Sequence, residues 1–147
     1  MKQFLYSIAA VMCTASAQAD IVNYECELHS LEAQGWIPPV VLLSVDADNK
    51  RARAFDGAIR SANELARIDK NTPANAKFKL TRKGEYRLSW RLTLSSNSTR
   101  QYRVSYTATV DPETNKLKMS ASFPQANLGN RPSGIGRCQP ISAPTLF

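Results

Sequence analysis

Two runs in the middle of the chain alternate without a break, and they leave little choice of fold. Tyr86, Leu88, Trp90, Leu92 and Leu94 are separated by Arg87, Ser89, Arg91 and Thr93. Tyr102, Val104, Tyr106, Ala108 and Val110 are separated in the same way by Arg103, Ser105, Thr107 and Thr109. In an extended strand successive side chains point to opposite faces, so each run predicts a strand with one face in a core and one in water.

The flanking segments fix how these strands pair. Ala76, Phe78 and Leu80 alternate with Lys77 and Lys79 and run into Arg82-Lys83-Gly84, a three-residue hairpin loop with glycine at the left-handed position. Pairing Thr81 with Glu85 sets Leu80 opposite Tyr86, Phe78 opposite Leu88 and Ala76 opposite Trp90. Placing Leu94 against Tyr102 then brings Trp90 to Tyr106 and Leu88 to Ala108. After Val110, Asp111-Pro112 opens a turn with the residues that a type I turn prefers. Val110 opposite Leu117 places Ala108 against Met119 and Tyr106 against Ala121. All three registers gather the apolar residues on one face.

The rest of the chain continues the pattern. Residues 20–29 read as a first strand with Val22, Tyr24, Cys26 and Leu28 inward and Asn23, Glu25 and Glu27 outward. Val40–Val45 is a continuous apolar run, expected to be buried on both faces. Asp46-Ala47-Asp48-Asn49 is a turn leading to a return strand over 51–55. Residues 57–75 form a helix or a long loop, with Ile59, Ala62, Leu65, Ala66 and Ile68 on one face and Asn71-Thr72-Pro73 ending it. A Gly/Pro/Asn loop over 124–136 precedes a last short strand over 135–141. The expectation is an all-β fold: a small antiparallel meander barrel, or a curled β-sandwich, of seven to eight strands closed by one disulfide.

Lys2, the apolar run Phe4–Met12 and Ala17-Gln18-Ala19 have the layout of a signal peptide over 1–19. Cleavage leaves one exported domain, Asp20–Phe147, which is periplasmic or secreted, carries no transmembrane segment and is expected to be a monomer. It retains two cysteines, Cys26 and Cys138, and an oxidising compartment favours their pairing.

Charge is distributed unevenly. Residues 20–75 hold nine acidic and six basic side chains, whereas residues 76–147 hold three acidic and twelve basic, a net +9. Under the registers above, Lys77, Lys79, Arg87, Arg91, Arg103 and Lys118 project from the non-core side of four neighbouring strands. Lys79 falls opposite Arg87, where like charges destabilise by up to roughly 1 kcal/mol. Such a face suits an anionic partner, whether an acidic polymer or an envelope surface. Solubility and protection of strand edges also select Lys and Arg on outer faces. Nucleic acid is not expected, because export removes it and no aromatics interleave with the charges. The core-side aromatics Phe78, Tyr86, Trp90, Tyr102 and Tyr106 offer an alternative, a carrier of a small apolar ligand inside a barrel.

Catalysis finds no foothold. The single histidine, His29, stands beside Ser30 without nucleophile-elbow spacing. Asp46-x-Asp48 begins like a calcium loop but continues with Lys50 and lacks the closing glutamate. Gly134-x-Gly136 has no helix after it to present to a phosphate. No metal, cofactor or enzymatic activity is expected. Asn97-Ser98-Thr99 is a glycosylation sequon in a loop between strands.

Two short resemblances accompany this reading. Gly35-Trp36 ahead of a run of hairpins resembles the G-x-W signature of lipocalin-like calycins, with the intervening residue missing. Tyr24-Glu25-Cys26 near the mature start, with a late Cys138, resembles the ends of small periplasmic lysozyme-inhibitor barrels. That family's Ser-Gly-x-x-Tyr motif is absent, since Ser133-Gly134 is followed by Ile135-Gly136-Arg137. The second resemblance implies inhibition of a secreted hydrolase, although lysozymes are usually basic and so is this chain.

Overall fold

The computed structural model describes residues 20–96, 98–126 and 131–147. The signal segment 1–19 and the sequon's Asn97 lie outside the described residues. Among the described residues eight strands follow in chain order: β1 (Val22–Ser30), β2 (Val40–Asp46), β3 (Arg51–Asp56), β4 (Ala74–Leu80), β5 (Tyr86–Ser95), β6 (Gln101–Val110), β7 (Lys116–Ser122) and β8 (Ser133–Ile141). A helix, α1 (Gly57–Leu65), joins β3 to β4. Every strand pairs antiparallel with the next, and β8 pairs with β1, so the meander closes as a barrel rather than opening into a sandwich.

The predicted registers hold except at one end, where the β4–β5 ladder stops at Lys77–Ser89 and Ala76 is not paired with Trp90. Phe78 pairs with Leu88 and Leu80 with Tyr86, while Trp90 faces Tyr106 and Leu88 faces Ala108. Ala108 meets Met119 and Tyr106 meets Ala121. Gly84 takes a φ of 79° in the β4–β5 turn, and Asn115 supplies the left-handed residue of the β6–β7 turn with a φ of 58°. Asn and Gly are the residues that tolerate this conformation. The inward residues Leu88, Val104, Tyr106, Ala108, Val110, Leu117, Met119 and Ala121 are all buried.

Closure is made by the contact of β8 with β1. Cys26 stands directly opposite Cys138, and the two form a disulfide across 112 residues of sequence. In the chain-entropy account a loop of that length is worth roughly 4–5 kcal/mol. The neighbouring β8 positions must be glycine for steric reasons. A Cβ on Gly136 would collide with the Glu27 carbonyl oxygen, and one on Gly134 would lie 2.8 Å from Ile37 Cγ2.

Several expectations are corrected on the outer surface. Val40 is exposed and Leu42 half-buried, so β2 buries one apolar face, Val41, Leu43 and Val45, and not two. Ser44 and Asn23, both on the outer side, are nevertheless buried. The cause is the C-terminal segment: Leu146, itself buried, donates its N–H to Ser44 Oγ at 3.0 Å, and Ser44 in turn donates to Asn23 Oδ1 at 2.6 Å. Residues 57–65 are helical, with Ile59 and Asn63 buried, but Leu65 and Ile68 face water. Asn63 is buried because its amide donates to the Lys70 and Thr72 carbonyls and ties off the chain after the helix. The last strand starts at Ser133, two residues before the predicted 135.

Candidate functional site

The outer face of β4 to β7 is the one surface where the sequence concentrates charge. These four strands carry seven cations, Lys77, Lys79, Arg87, Arg91, Arg103, Lys116 and Lys118, and no carboxylate. All seven are exposed. Lys79 stands opposite Arg87 as expected, Arg87 opposite Thr109, and Thr109 opposite Lys118. Arg103 faces Thr93 nearer the other end of the barrel. Among the described residues the ion pair Arg51–Asp46 involves none of these seven.

The seven do not converge on one point. Lys77 and Arg91 share a cleft, of about 420 Å3, lined also by Asn75, Ser89, Ser105 and Thr107. Lys79 borders a separate cleft of about 530 Å3 with Lys50, Leu80, Phe78 and Tyr86, at the end of the barrel where the β2–β3 and β4–β5 turns meet. A third groove, of about 570 Å3, follows the outer side of β8, with Lys116, Lys118 and Arg137 on it beside Glu27, His29 and the half-exposed Ile135. Besides Lys116, which the sequence reading left in the β6–β7 turn, two cations of this surface were beyond that reading. Arg51 lies next to Lys77, and Arg137 lies between Lys116 and Glu27. Both pairings cross long connections, where no turn residues announce a register.

The interior aromatics divide into three groups. Phe78 and Tyr86, half-buried, tilt against each other at 5.6 Å. Trp90 stacks on Tyr106 at 5.8 Å in the middle of the barrel, and the Tyr106 hydroxyl donates to the Trp36 carbonyl at 2.9 Å. Tyr102, half-buried, forms an edge-on cluster with Trp36 and Phe123 at 6.1 and 6.4 Å. These rings occupy one another's faces and edges, as core aromatics do.

Several acidic groups have pKa values moved by their surroundings. Asp46 is buried and accepts from Arg51 at 2.7 Å and from Asn49, which hold its carboxyl below the usual carboxylate range. Asp56 caps α1 by accepting from the Ile59 N–H at 2.7 Å, yet burial pushes its carboxyl up to about 6, and its Oδ2 has no partner among the described residues. Burial, with Asp56 nearby, also raises the Tyr106 phenol; burial and the neighbouring Tyr86 raise that of Tyr24. His29 sits on the outer face of β1 opposite Ile135. No group of three or more His, Cys, Asp or Glu among the described residues is placed to hold a metal ion. No helix among them is long and apolar enough to cross a membrane. No family model, curated protein or solved structure matches this chain.

Proposed function

We propose that this protein is an exported binding protein for an anionic polymer, which it meets through the outer face of β4 to β7. One observation carries the reading: four successive strands expose seven cations and hold no carboxylate. Lys79 and Arg87 are held directly opposite each other, an arrangement that disfavours the free protein and that a bound anion relieves. A dense polyanion would gain further from release of its condensed counterions.

The test is a titration with dextran sulfate, with uncharged dextran as the control, across a series of salt concentrations. The apparent affinity should fall steeply with salt, and the double substitution Arg87→Glu with Arg103→Glu should abolish binding. Salt-independent binding, or binding unchanged by the double substitution, would sink the proposal. The apolar-carrier alternative draws no support from the aromatic side chains, which are engaged with each other and with the Trp36 carbonyl.

A further inference from the structure

The β4–β5 ladder ends before the strands do. Its last pair is Lys77 with Ser89, although β4 begins at Ala74 and β5 runs on to Ser95. Over Ala74–Lys77, β4 stays with β3, where Ala52 pairs with Ala76 and Arg53 with Asn75. The two strands therefore part at the level of Ala76 and Trp90, and α1 packs against β5 beyond that point.

The direction of the main chain at the opening follows from the hairpin. Thr81 donates its N–H to the Glu85 carbonyl at 2.9 Å, so the odd-numbered residues of β4 and β5 turn their peptide groups toward each other. Continuing that alternation, Asn75 and Arg91 present theirs to the opening, where the ladder no longer pairs them. The 420 Å3 cleft lies at this place. Its rim offers the Lys77 ammonium, the Arg91 guanidinium, the hydroxyls of Ser89, Ser105 and Thr107, and the Asn75 amide. Trp90 also lines it; the residue is 96% buried, and its indole Nε1 is without a partner among the described residues.

We infer that this opening between β4 and β5 is a binding site for a tetrahedral oxyanion, a sulfate or phosphate ester group, borne on the polymer that the β4–β7 face attracts. The inference rests on the proposed function for the polymer, but the site is defined by its own donors. Two cations neutralise the group, and the hydroxyl and amide donors surround more oxygens than the two of a carboxylate. The volume lies within the roughly 300–1,000 Å3 usual for ligand clefts, enough for the group and the sugar that carries it.

Two probes separate the cleft from the face. Inorganic sulfate, followed by the indole and amide resonances, should shift Trp90 Nε1–H and the amides of Ser89 and Arg91, with Trp36 as the unmoved internal reference. Dextran sulfate affinity should drop about tenfold with Arg91→Gln or Ser105→Val, a charged hydrogen bond's worth in the first case. It should drop only about twofold with Arg103→Gln or Lys118→Gln, exposed charges on the same face away from the cleft. Unfolding midpoints of all four variants check that the barrel is intact. Equal losses at all four positions, or sulfate shifts spread over the surface, would overturn the cleft and leave the face standing. Sulfate shifts at Trp90 without polymer binding would do the reverse. Vesicles of phosphatidylglycerol binding in place of dextran sulfate would move the ester from a polymer to a lipid headgroup and overturn the polymer as its source.

Discussion

Arginine does opposite work on neighbouring stretches of this barrel wall. On β3, Arg51 lies against the Asp46 carboxylate at 2.7 Å and Arg53 donates to the Leu146 carbonyl at 2.8 Å. Both guanidinium groups lie over the Phe147 ring, at 5.0 and 5.3 Å from its centre. On β5 and β6, Arg87, Arg91 and Arg103 stand in water opposite hydroxyls or another cation. The same side chain is a structural tie where a carboxylate and a terminal segment come to it, and an available charge where neither does. Partnership separates the two roles, not residue type: the Arg51 side chain is 58% exposed and is still tied to Asp46.

The sharpest way to break this contrast is to remove the cover. Leu146 is buried, and it brings the N–H that satisfies Ser44. Leu146→Ala should cost about 3 kcal/mol in urea unfolding, the usual range for a buried leucine. Dextran sulfate binding should stay unchanged. A loss below about 0.5 kcal/mol, the size of an ordinary surface substitution, would mean that the tail does not protect β2 and β3.

Two buried carboxylates sharpen the contrast from inside. Asp46 has Arg51 beside it and a lowered pKa, whereas Asp56 has no cation and a carboxyl raised to about 6. A raised pKa means that the folded state holds its proton more tightly than the unfolded chain. Stability from this group is therefore full at acid pH and lost as pH rises from about 4 to 6. Asp56→Asn keeps a capping acceptor and removes the ionisation, so it should gain about 2 kcal/mol at pH 7 and nothing at pH 4. A constant difference between variant and wild type across that window would refute the assignment. Asp46 runs the other way: its contribution is present at neutral pH and lost as pH falls through its lowered pKa. Arg51→Met should leave Asp46 in the position of Asp56, its pKa moving up by NMR titration.

The contrast was half legible in the sequence. The bare face was, because short turns such as Arg82-Lys83-Gly84 and Asp111-Pro112 fix the register, and period two then places each charge. The covered face was not. Residues 142–147 have no periodicity, and nothing about Leu146 or Phe147 says which strand they cross. Asn23 reads as an outward polar residue, and Ser44 falls inside the run read as buried on both faces; both point outward, and the tail covers them. The β4–β5 opening was hidden for another reason. Ala76, Phe78 and Leu80 alternate straight through it, and alternation reports which face a side chain takes, not whether its strand is paired there. Of the predicted cluster of six, the structure accordingly brings two, Lys77 and Arg91, to one cleft.

The smallest effect bears on why the bare face exists at all. Lys79 and Arg87 confront each other across β4 and β5 with no carboxylate among the strand residues around them. If that repulsion is retained for binding, relieving it should trade one property for the other. Lys79→Thr should stabilise the free protein by about 0.5 kcal/mol at low salt, within the range for a like-charged cross-strand pair. The gain should shrink as salt is added, since exposed charges are screened over about 10 Å at 0.1 M. The same substitution should weaken dextran sulfate binding and reduce the magnitude of its salt slope by about one counterion. A more stable variant that binds as tightly as wild type would show that the pair has no part in binding. A variant that is neither more stable nor weaker in binding would show two well-solvated side chains that swing apart. In either case the cations of β4–β7 would serve solubility, and the contrast with β3 would be one of packing alone.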